Sequence, residues 1–584
     1  MSESELKPTP GLADQPVTIT GACAPPPGPD WIHQAVFYQV YPQTFYDSNG
    51  DGIGDLQGII AKLDYIQSLG VDGIWINPFF ESPFYDAGYD ISDYYKVAAR
   101  YGSNKDAQQL FEEAHRRGLK VIFDFVASYT SIAHPWFQAS CRQEKNQYSN
   151  WYIWTNSAWE SIPDFMKGSF IQGYARRNGQ FMRNFFWNQP ALNYGFADPD
   201  PERPWQLPVG HPDTLAMREE MKRVARFWMD LGADGFRADM AGALVKQRKP
   251  PQAKGGLSGQ AQGTMAFWRE IREIFDRDYP EAFMVSEWSY PKNAIAAGFH
   301  ADFYHWFDGY NDLFQKESWR ILNSRSQGHS FFDQAGKGNI CRFLTNYLEH
   351  LQAVKDRGYI SIPIGNHDLA RLNTGRTVDE LEIIFAFILT MPGIPFIYYG
   401  NEIGMRQLYD LPHVEGAYPP RAGARSPMQW SKDMNAGFSS APAEKLYLPV
   451  DERAGAGEDF PNVAAQEQDP NSLLNRVRKL IRLKKQEKAL AAYGEFVPLF
   501  AREKCYPFVY ARAAGDEVIL VALNPARETK EASFTVNIDI TGKKLLAGKE
   551  LAIHWDNNRL NLTVPGRSYA VYKCRRAINQ VKLG

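Results

Sequence analysis

Apolar residues recur along this chain in two alternating registers. Met217, Met221, Val224, Trp228 and Leu231 are spaced as on one face of a helix, and Pro212-Asp213-Thr214 ahead of them reads as a helix start. Gly232 ends the run, and 233–239 reads as a short apolar strand finishing on Arg237 and Asp239. The same unit occurs twice earlier. Ile59, Leu63 and Ile66 mark a helix closed by Gly70 and followed by a strand over 71–77; Leu110, Phe111 and Ala114 mark a helix closed by Gly118 and followed by a strand over 119–124. Further strand candidates lie at 35–41, 283–287, 303–307, 360–365 and 394–399. Apolar strands alternating with amphipathic helices predict an α/β fold with a parallel sheet, and eight such strands are enough to close a (β/α)8 TIM barrel.

The pattern is interrupted in three places. The gap from Asp124 to the helix near Leu215 is too long for a plain connection. Residues 125–205 are rich in Trp, Tyr, Phe, Asn and Gly, and read as an inserted domain after strand 3. A second insertion at 246–263 reads as mobile and exposed. Beyond a basic helix near 476–485 the helical spacing stops, and short strand candidates follow at 496–500, 508–512, 518–524, 532–536 and 568–572. These predict a C-terminal antiparallel β domain. The expected organisation is a proline-rich, disordered tail over 1–30, a barrel over 31–124 and 206–493, an inserted domain over 125–205 and a β domain over 494–584.

Composition narrows the partners. A net charge of −3 offers no electrostatic attraction to nucleic acid or an anionic membrane. No apolar run reaches the length of a membrane span, and the first residues lack the basic start and apolar stretch of a signal peptide. The five cysteines are scattered, with no CxxC spacing, and read as free thiols of a reducing compartment, so a cytoplasmic protein is expected. Aromatics make up 14% of the chain, which suits sugar rings as well as core packing.

Three acids fall at or just beyond candidate strands: Asp239, Glu287 and Asp368. Arg237 and Asp239 are two residues apart and share one face of their strand, where the cation keeps the carboxylate ionised; the plainer reading is a structural ion pair. Carboxylates gathered at one barrel end repel one another unless chemistry or metal uses them. A pair of them can cleave an acetal, one attacking the anomeric carbon and the other, its pKa raised by neighbouring charge, protonating the leaving oxygen. A third can grip sugar hydroxyls. Separately, Asp47, Asn49, Asp51 and Asp55 place oxygen side chains at alternate positions of a glycine-rich loop, the pattern of a calcium site or of a metal-free turn.

Taken together, Gly-Phe-Arg237-Ala-Asp239, Ser-Glu287-Trp, Asn366-His367-Asp368, the stretch Gly-Val-Asp-Gly-Ile-Trp-Ile-Asn-Pro78 and Gly-Ile-Pro-Phe-Ile-Tyr-Tyr-Gly400 resemble the alpha-amylase family, glycoside hydrolase family 13, over about 31–584. The resemblance implies Asp239 as nucleophile, Glu287 as general acid/base and Asp368 as transition-state stabiliser. It implies that Arg237 orients Asp239, and that His367 binds the cleaved sugar rather than serving the core. Tyr85-Asp86-Ala-Gly-Tyr89-Asp90 is similar to the oligo-1,6-glucosidase, alpha-glucosidase and trehalose synthase branch, in which Tyr89 would stack on the sugar and Asp86 would hold its far hydroxyls. The branch's calcium loop matches Asp47, Asn49, Asp51, Ile53 by its carbonyl, and Asp55. Arg425-Ser-Pro-Met-Gln-Trp430 most resembles trehalose synthases, and Arg425 is expected either to pair with Asp86 and close the pocket or to fix a loop.

Three departures stand out. The family histidine that contacts the sugar's 6-hydroxyl is replaced by Tyr129, after Ser128; Ala191 stands where the branch has Asp; and Leu369-Ala-Arg371 stands where trehalose synthases carry Glu-Leu. Tyr129 is expected either to read an unusual or shifted sugar or merely to fill space. The functions implied are cleavage or transfer of the glucosyl unit of small α-glucosides, maltose-to-trehalose isomerisation, or non-catalytic carbohydrate binding.

Overall fold

The computed structural model describes residues 17–247, 259–305, 309–314, 329–373, 375–416, 419–456, 460–556 and 559–577. Eight parallel strands form one sheet: β1 (Phe37–Val40), β2 (Gly73–Ile76), β3 (Lys120–Phe125), β4 (Gly235–Ala238), β5 (Phe283–Ser286), β6 (Ala301–Phe303), β7 (Tyr359–Ser361) and β8 (Phe396–Tyr398). Neighbours in sequence pair from β1 to β7, and β1 also pairs with β8. At the remaining seam Gly393, just before β8, packs so closely that an added Cβ would lie 1.9 Å from the Ile360 carbonyl oxygen of β7. Every strand residue but Lys120 is buried, as expected of a parallel sheet wrapped by helices.

The helix Pro212–Asp230 shows how the sequence builds one unit. Met217, Met221, Val224 and Trp228 form its buried face, and Gly232 turns the chain at a φ of +118°. Gly235 then opens β4 at φ +138°. A Cβ there would lie 1.9 Å from the Phe283 carbonyl oxygen, so β4 and β5 meet as closely as they do only because this residue is glycine.

The sixth strand differs from expectation. It occupies Ala301–Phe303 rather than 303–307, of which 306 and 307 lie outside the described residues. Polar Asp302 concealed its start. The Asp302 carboxylate is buried but accepts from the Ser286 hydroxyl at 2.7 Å and the Trp288 N–H at 3.0 Å, so it can sit inside a strand.

Phe37, Trp75, Ile122, Phe283, Phe303 and Phe396 fill one layer of the barrel, with Phe37 stacked on Phe396 at 4.7 Å and on Phe283 at 5.2 Å. Trp75 ends this dry layer. Its indole N–H donates to Asp124 at 2.9 Å, and the Arg237 guanidinium lies 5.1 Å from its ring centroid. The polar site begins there.

Residues 125–205 leave the barrel after β3 and carry the helix Pro135–Ser140 and a hairpin of Phe170–Ile171 with Phe181–Met182. Phe137 packs against Trp154 at 5.8 Å and Phe181 at 5.1 Å. Single bridges of Tyr129 with Ala191 and of Phe196 with Lys246 tie this segment back to the loops after β3 and β4. Lys246, expected to begin an exposed insertion, is therefore buried; its N–H donates to the Gly195 carbonyl at 2.9 Å. Residues 248–258 of that insertion lie outside the described residues, and a helix runs from Gly259.

The C-terminal strands are β9 (Glu495–Phe500), β10 (Phe508–Ala514), β11 (Glu517–Asn524), β12 (Lys530–Phe534), β13 (Ile538–Gly548), β14 (Ala552–Asp556), β15 (Arg559–Val564) and β16 (Ser568–Arg576). They form two antiparallel sheets, ordered β9-β10-β11-β16-β13 and β12-β15-β14. β13 to β15 were not anticipated; β13 is mostly half-buried, with its alternation diluted by residues such as Gly542, Lys543 and Lys544, and β14 is mostly exposed. Buried Arg512 joins this unit to the barrel, donating to the carbonyls of Thr390 at 2.6 Å and Ala491 at 2.7 Å.

The expected disordered tail over 1–30 is corrected for 17–30; residues 1–16 lie outside the described residues. Val17 pairs with Val536, Ile19 is buried in the C-terminal core with its N–H donating to Asn537 at 2.7 Å, and the Glu495 carboxylate accepts from the N–H groups of Thr20 and Gly21. Apolar side chains, backbone bonds to Thr535 and Gly515 and side-chain bonds with Asn537 and Glu495 order a stretch whose own composition favours disorder.

Candidate active site

The end of the barrel collects the three predicted acids. Asp124 and Arg237 are register partners on β3 and β4, and Arg237 Nη1 lies 2.6 Å from both Asp124 Oδ1 and Asp239 Oδ1. Asp239 is the residue after β4. Glu287 is the residue after β5, and its Oε2 lies 2.8 Å from Arg237 Nη2. The terminal nitrogens of one guanidinium therefore hold Asp239 and Glu287 side by side. That proximity suits the close carboxylate pair of a retaining glycosidase, about 5 Å apart, better than the wider inverting pair. Met240, at φ +43°, turns its N–H back to Glu287 Oε2 at 3.2 Å.

Asp368 enters from the loop after β7 and joins this cluster through a chain of contacts. Its Oδ2 lies 3.4 Å from His367 Nε2, which also meets the Tyr89 hydroxyl at 2.7 Å; that hydroxyl donates to Asp124 at 3.2 Å. The Gln39 amide donates to Asn77 at 2.8 Å and faces His367 Nδ1 at 3.0 Å. A donor at Nδ1 puts the imidazole proton on Nε2, facing Tyr89 and Asp368. The Tyr89 and His367 rings stack at 5.3 Å and 10°. One face of Tyr89 is thus occupied, and only the other could meet a sugar. The side chains of Glu287 and Asp368 keep 12% and 20% exposure, so the cluster opens to solvent on their side.

The arginines are arranged differently from expectation. Arg425 does not bond Asp86. Its Nη2 lies 2.9 Å from Asp368 Oδ1, and its Nε donates to the His367 carbonyl at 2.8 Å. Arg421, absent from the sequence reading, takes the Asp86 contact. Its Nη1 lies 3.2 Å from Asp86 Oδ1, while Nε donates to Asp368 Oδ1 at 2.6 Å. Gln189, also missed, donates to Asp86 Oδ2 at 2.8 Å. The correction has a geometric cause. Two arginines four residues apart, the first on the short helix Pro419–Ala424, both reach Asp368 but only Arg421 extends to Asp86, and sequence spacing does not say which one does. The sequence signal for Arg421 was available in its position four residues before Arg425.

The departures also find places. The Tyr129 hydroxyl donates to Asp239 Oδ2 at 3.1 Å, and Ala191 is its bridge partner. The Ser128 hydroxyl is buried without a hydrogen-bond partner among the described residues. Arg371 turns away from the acids, donating to the Tyr399 carbonyl at 2.7 Å, and its charge stabilises buried Glu402, which accepts from Tyr38 and Tyr65 at 2.7 Å each. His305, likewise unanticipated, has Nε2 3.5 Å from Glu287 Oε1.

Charge in the cluster follows burial. Burial and the Glu287 and Asp124 charges push Asp239 well above the carboxylate range, against the pull of Arg237. Burial acts on Glu287 too, but Arg237 and His305 draw it down to about 2. This is the reverse of the order anticipated for a nucleophile and an acid. Asp124 is pushed up to about 6 by burial, opposed by Arg237. Three carboxylates share one guanidinium, so their titrations are coupled. Burial would raise Asp368 as well, but Arg421, His367 and Arg425 together hold it far below the usual range. Burial lowers His367 to about 3, leaving it neutral.

The loop over 47–55 is a run of side-chain-to-backbone turns. Asp47 accepts from the N–H groups of Asn49, Gly50 and Gly52, Asn49 from Asp51, Asp51 from Ile53, and Asp55 from Ser48 and Gly58. Its donors are all oxygen, the right kind for Ca²⁺, yet the turns hold the loop's shape by themselves. Among the described residues no three His, Cys, Asp or Glu side chains are grouped as a metal site.

A (β/α)8 barrel whose strand ends gather an aspartate, a glutamate and a second aspartate around a buried arginine defines a carbohydrate-active enzyme of the two-carboxylate type. The chain belongs to the alpha-amylase family: residues 39–493 match the model described as alpha amylase, catalytic domain. It is 33% identical over 495 residues to a trehalose synthase/amylase, TreS, of Mycolicibacterium smegmatis, covering 80% of this chain and 78% of that one. It is 32% identical over 557 residues to an oligo-1,6-glucosidase of Heyndrickxia coagulans, covering 86% and 93%. Among solved structures it is similar to the alpha-glucosyl transfer enzyme XgtA, with a TM-score of 0.71, 27% identity, and coverage of 93% of this chain and 99% of that one.

Proposed function

We propose that this protein is a retaining enzyme that removes or transfers the terminal glucosyl unit of small α-glucosides of the maltose, sucrose, trehalose or isomaltose type. The observation that carries this reading is the single guanidinium of Arg237 holding Asp239 and Glu287 side by side at the ends of β4 and β5. Asp239 attacks the anomeric carbon, and the bond to the departing oxygen breaks as Glu287 donates its proton there. Glu287 then takes a proton from water or an acceptor hydroxyl, which displaces Asp239. In the empty site burial raises Asp239 while Arg237 and His305 lower Glu287, so these roles call for bound sugar to raise Glu287 relative to Asp239. Arg237 contacts both groups and serves either arrangement. Part-exposed Asp368 and neutral His367 beside it suit ring hydroxyls, and the buried Asp86–Arg421 pair next to them would bound a short pocket, which favours exo action on short substrates.

Maltose-to-trehalose isomerisation is a second reading, favoured by the segment Arg425–Trp430 and by the name of the Mycolicibacterium relative. It is the same double displacement, with the released glucose retained and reused as acceptor. Incubation with maltose, trehalose, sucrose and isomaltose, followed by product analysis, separates the readings. Glucose alone indicates hydrolysis, new disaccharides indicate transfer, and trehalose from maltose without free glucose indicates isomerisation. No turnover of any of the four, matching an Asp239→Asn control, would overturn the proposal.

We also propose Ca²⁺ as a structural ion on Asp47, Asn49, Asp51, Asp55 and the Ile53 carbonyl, supported by the all-oxygen donor set. The cytoplasm is the proposed compartment, supported by cysteines that are free among the described residues; none of the described helices is long and apolar enough to cross a membrane.

A further inference from the structure

We infer that Tyr129 is a positioning residue for the nucleophile, holding Asp239 by a hydrogen bond from its phenol rather than reading a sugar hydroxyl. The inference rests on the retaining mechanism above. The Tyr129 hydroxyl donates to Asp239 Oδ2 at 3.1 Å while Arg237 binds Oδ1 at 2.6 Å, so each carboxylate oxygen has its own donor and the plane of the group is set. Arg237 alone would leave the carboxylate free to turn about its single Oδ1 contact.

The phenol is itself immobilised. Tyr129 is 2% exposed, and its carbonyl accepts from the Tyr94 hydroxyl at 2.8 Å. The backbone on either side is fixed by the Leu192 N–H donating to the Ser128 carbonyl at 3.1 Å and the Thr130 N–H donating to the Pro190 carbonyl at 3.2 Å. Its bridge partner is fully buried Ala191, so two departures seen separately in the sequence are neighbours in space. A larger or charged side chain at 191 would crowd or re-aim the segment that carries the phenol.

A donor on the nucleophile acts at both displacements. It aligns the carboxylate for attack on the anomeric carbon, forming the ester to one oxygen while the C–O bond to the departing group breaks. In the second displacement it stabilises the charge that returns to Asp239 as the ester bond breaks. Such a bond is worth more in these transition states than in substrate binding, so its removal shows in kcat rather than KM.

The test is Tyr129→Phe, assayed with p-nitrophenyl α-glucoside and its 6-deoxy analogue. Losing a hydrogen bond to a charged group predicts a fall in kcat of about 10- to 100-fold with KM changed less than about threefold, and the same factor on both donors. A kcat equal to wild type, or a loss confined to the donor that keeps its 6-hydroxyl, would overturn the inference. Should the phenylalanine variant not fold, 3-fluorotyrosine at 129 keeps the shape and alters only the donor; a changed kcat with unchanged KM supports the assignment, and an unchanged kcat overturns it. Wild-type turnover of either donor separates this test from failure of the retaining reading itself.

Discussion

Arg421 sits between two carboxylates that would otherwise repel each other, Asp86 and Asp368, and touches both. Asp368 has a second guanidinium hydrogen-bonded to it in Arg425, whereas among the described residues the other side-chain hydrogen bond to Asp86 comes from the neutral amide of Gln189. Breaking a buried ion pair from one side costs about 3–5 kcal/mol, because it strands the remaining charge. Arg421→Ala is therefore expected to lower kcat/KM for p-nitrophenyl α-glucoside by at least about 100-fold and to lower the thermal midpoint, while Arg425→Ala leaves the Asp86 pairing intact. Steady-state kinetics and a thermal melt on the same samples check this; an Arg421→Ala enzyme with wild-type efficiency would show that the bridge does not shape the pocket. At this scale the sequence was informative about residue types and less so about partners. Asp239, Glu287, Asp368, Arg237 and His367 lie in motifs whose chemistry is readable. Which arginine meets which acid, and that Tyr129 meets the nucleophile, depends on side chains from distant segments converging.

Elements were most legible where one strand and one helix form a repeating unit. The helix Pro212–Asp230 and the strand after it follow from spacing, a start signal and a glycine. Gly235 shows what spacing hides. A methyl group there meets the Phe283 carbonyl oxygen, so Gly235→Ala must push β4 from β5 and displace Arg237 two residues on. A loss of about 3 kcal/mol or more is expected, seen as a lower denaturation midpoint and reduced soluble yield. The loop over 47–55 carries a second prediction at this scale. If Ca²⁺ binds it, adding the ion to chelated protein raises the thermal midpoint by roughly 5 °C, and Asp51→Ala removes that gain. Identical melts with and without the ion would leave the loop a metal-free turn. Strands such as β13 and β14 escaped notice because an exposed edge does not need a strict apolar alternation.

For the whole molecule, acid is the expected weakness. Burial lowers His134 and His367 to about 3, and it also lowers His300 well below the usual histidine value. Each is neutral in the fold but takes up a proton near pH 6.5 once unfolded. The folded pKa lies below the unfolded one, so the stability these histidines contribute is fully present above about pH 6.5 and is lost as pH falls toward 3. The thermal midpoint should decline across that window. His134 caps the helix Pro135–Ser140 by accepting the Trp136 N–H at 3.1 Å, a role Asn can also fill. His134→Asn should keep the cap and make the decline shallower by about 1.4 kcal/mol per pH unit. An unchanged slope would show that this histidine takes up its proton in the folded protein as readily as in the unfolded chain.

The sequence alone determined the architecture and the chemical inventory. Hydrophobic spacing is a local property, and the barrel is a repetition of local units, so eight strands, their order and the acids at their ends could be read in one dimension. Only the tertiary structure decided the assignments between segments. The seam at Gly393, the burial of Ile19 against the C-terminal sheets, the Asp86 contact of Arg421 in place of Arg425 and the bond from Tyr129 to Asp239 all join residues remote in the chain. Their energies come from desolvation and charge at points where several elements meet, and no window of neighbouring residues contains that information.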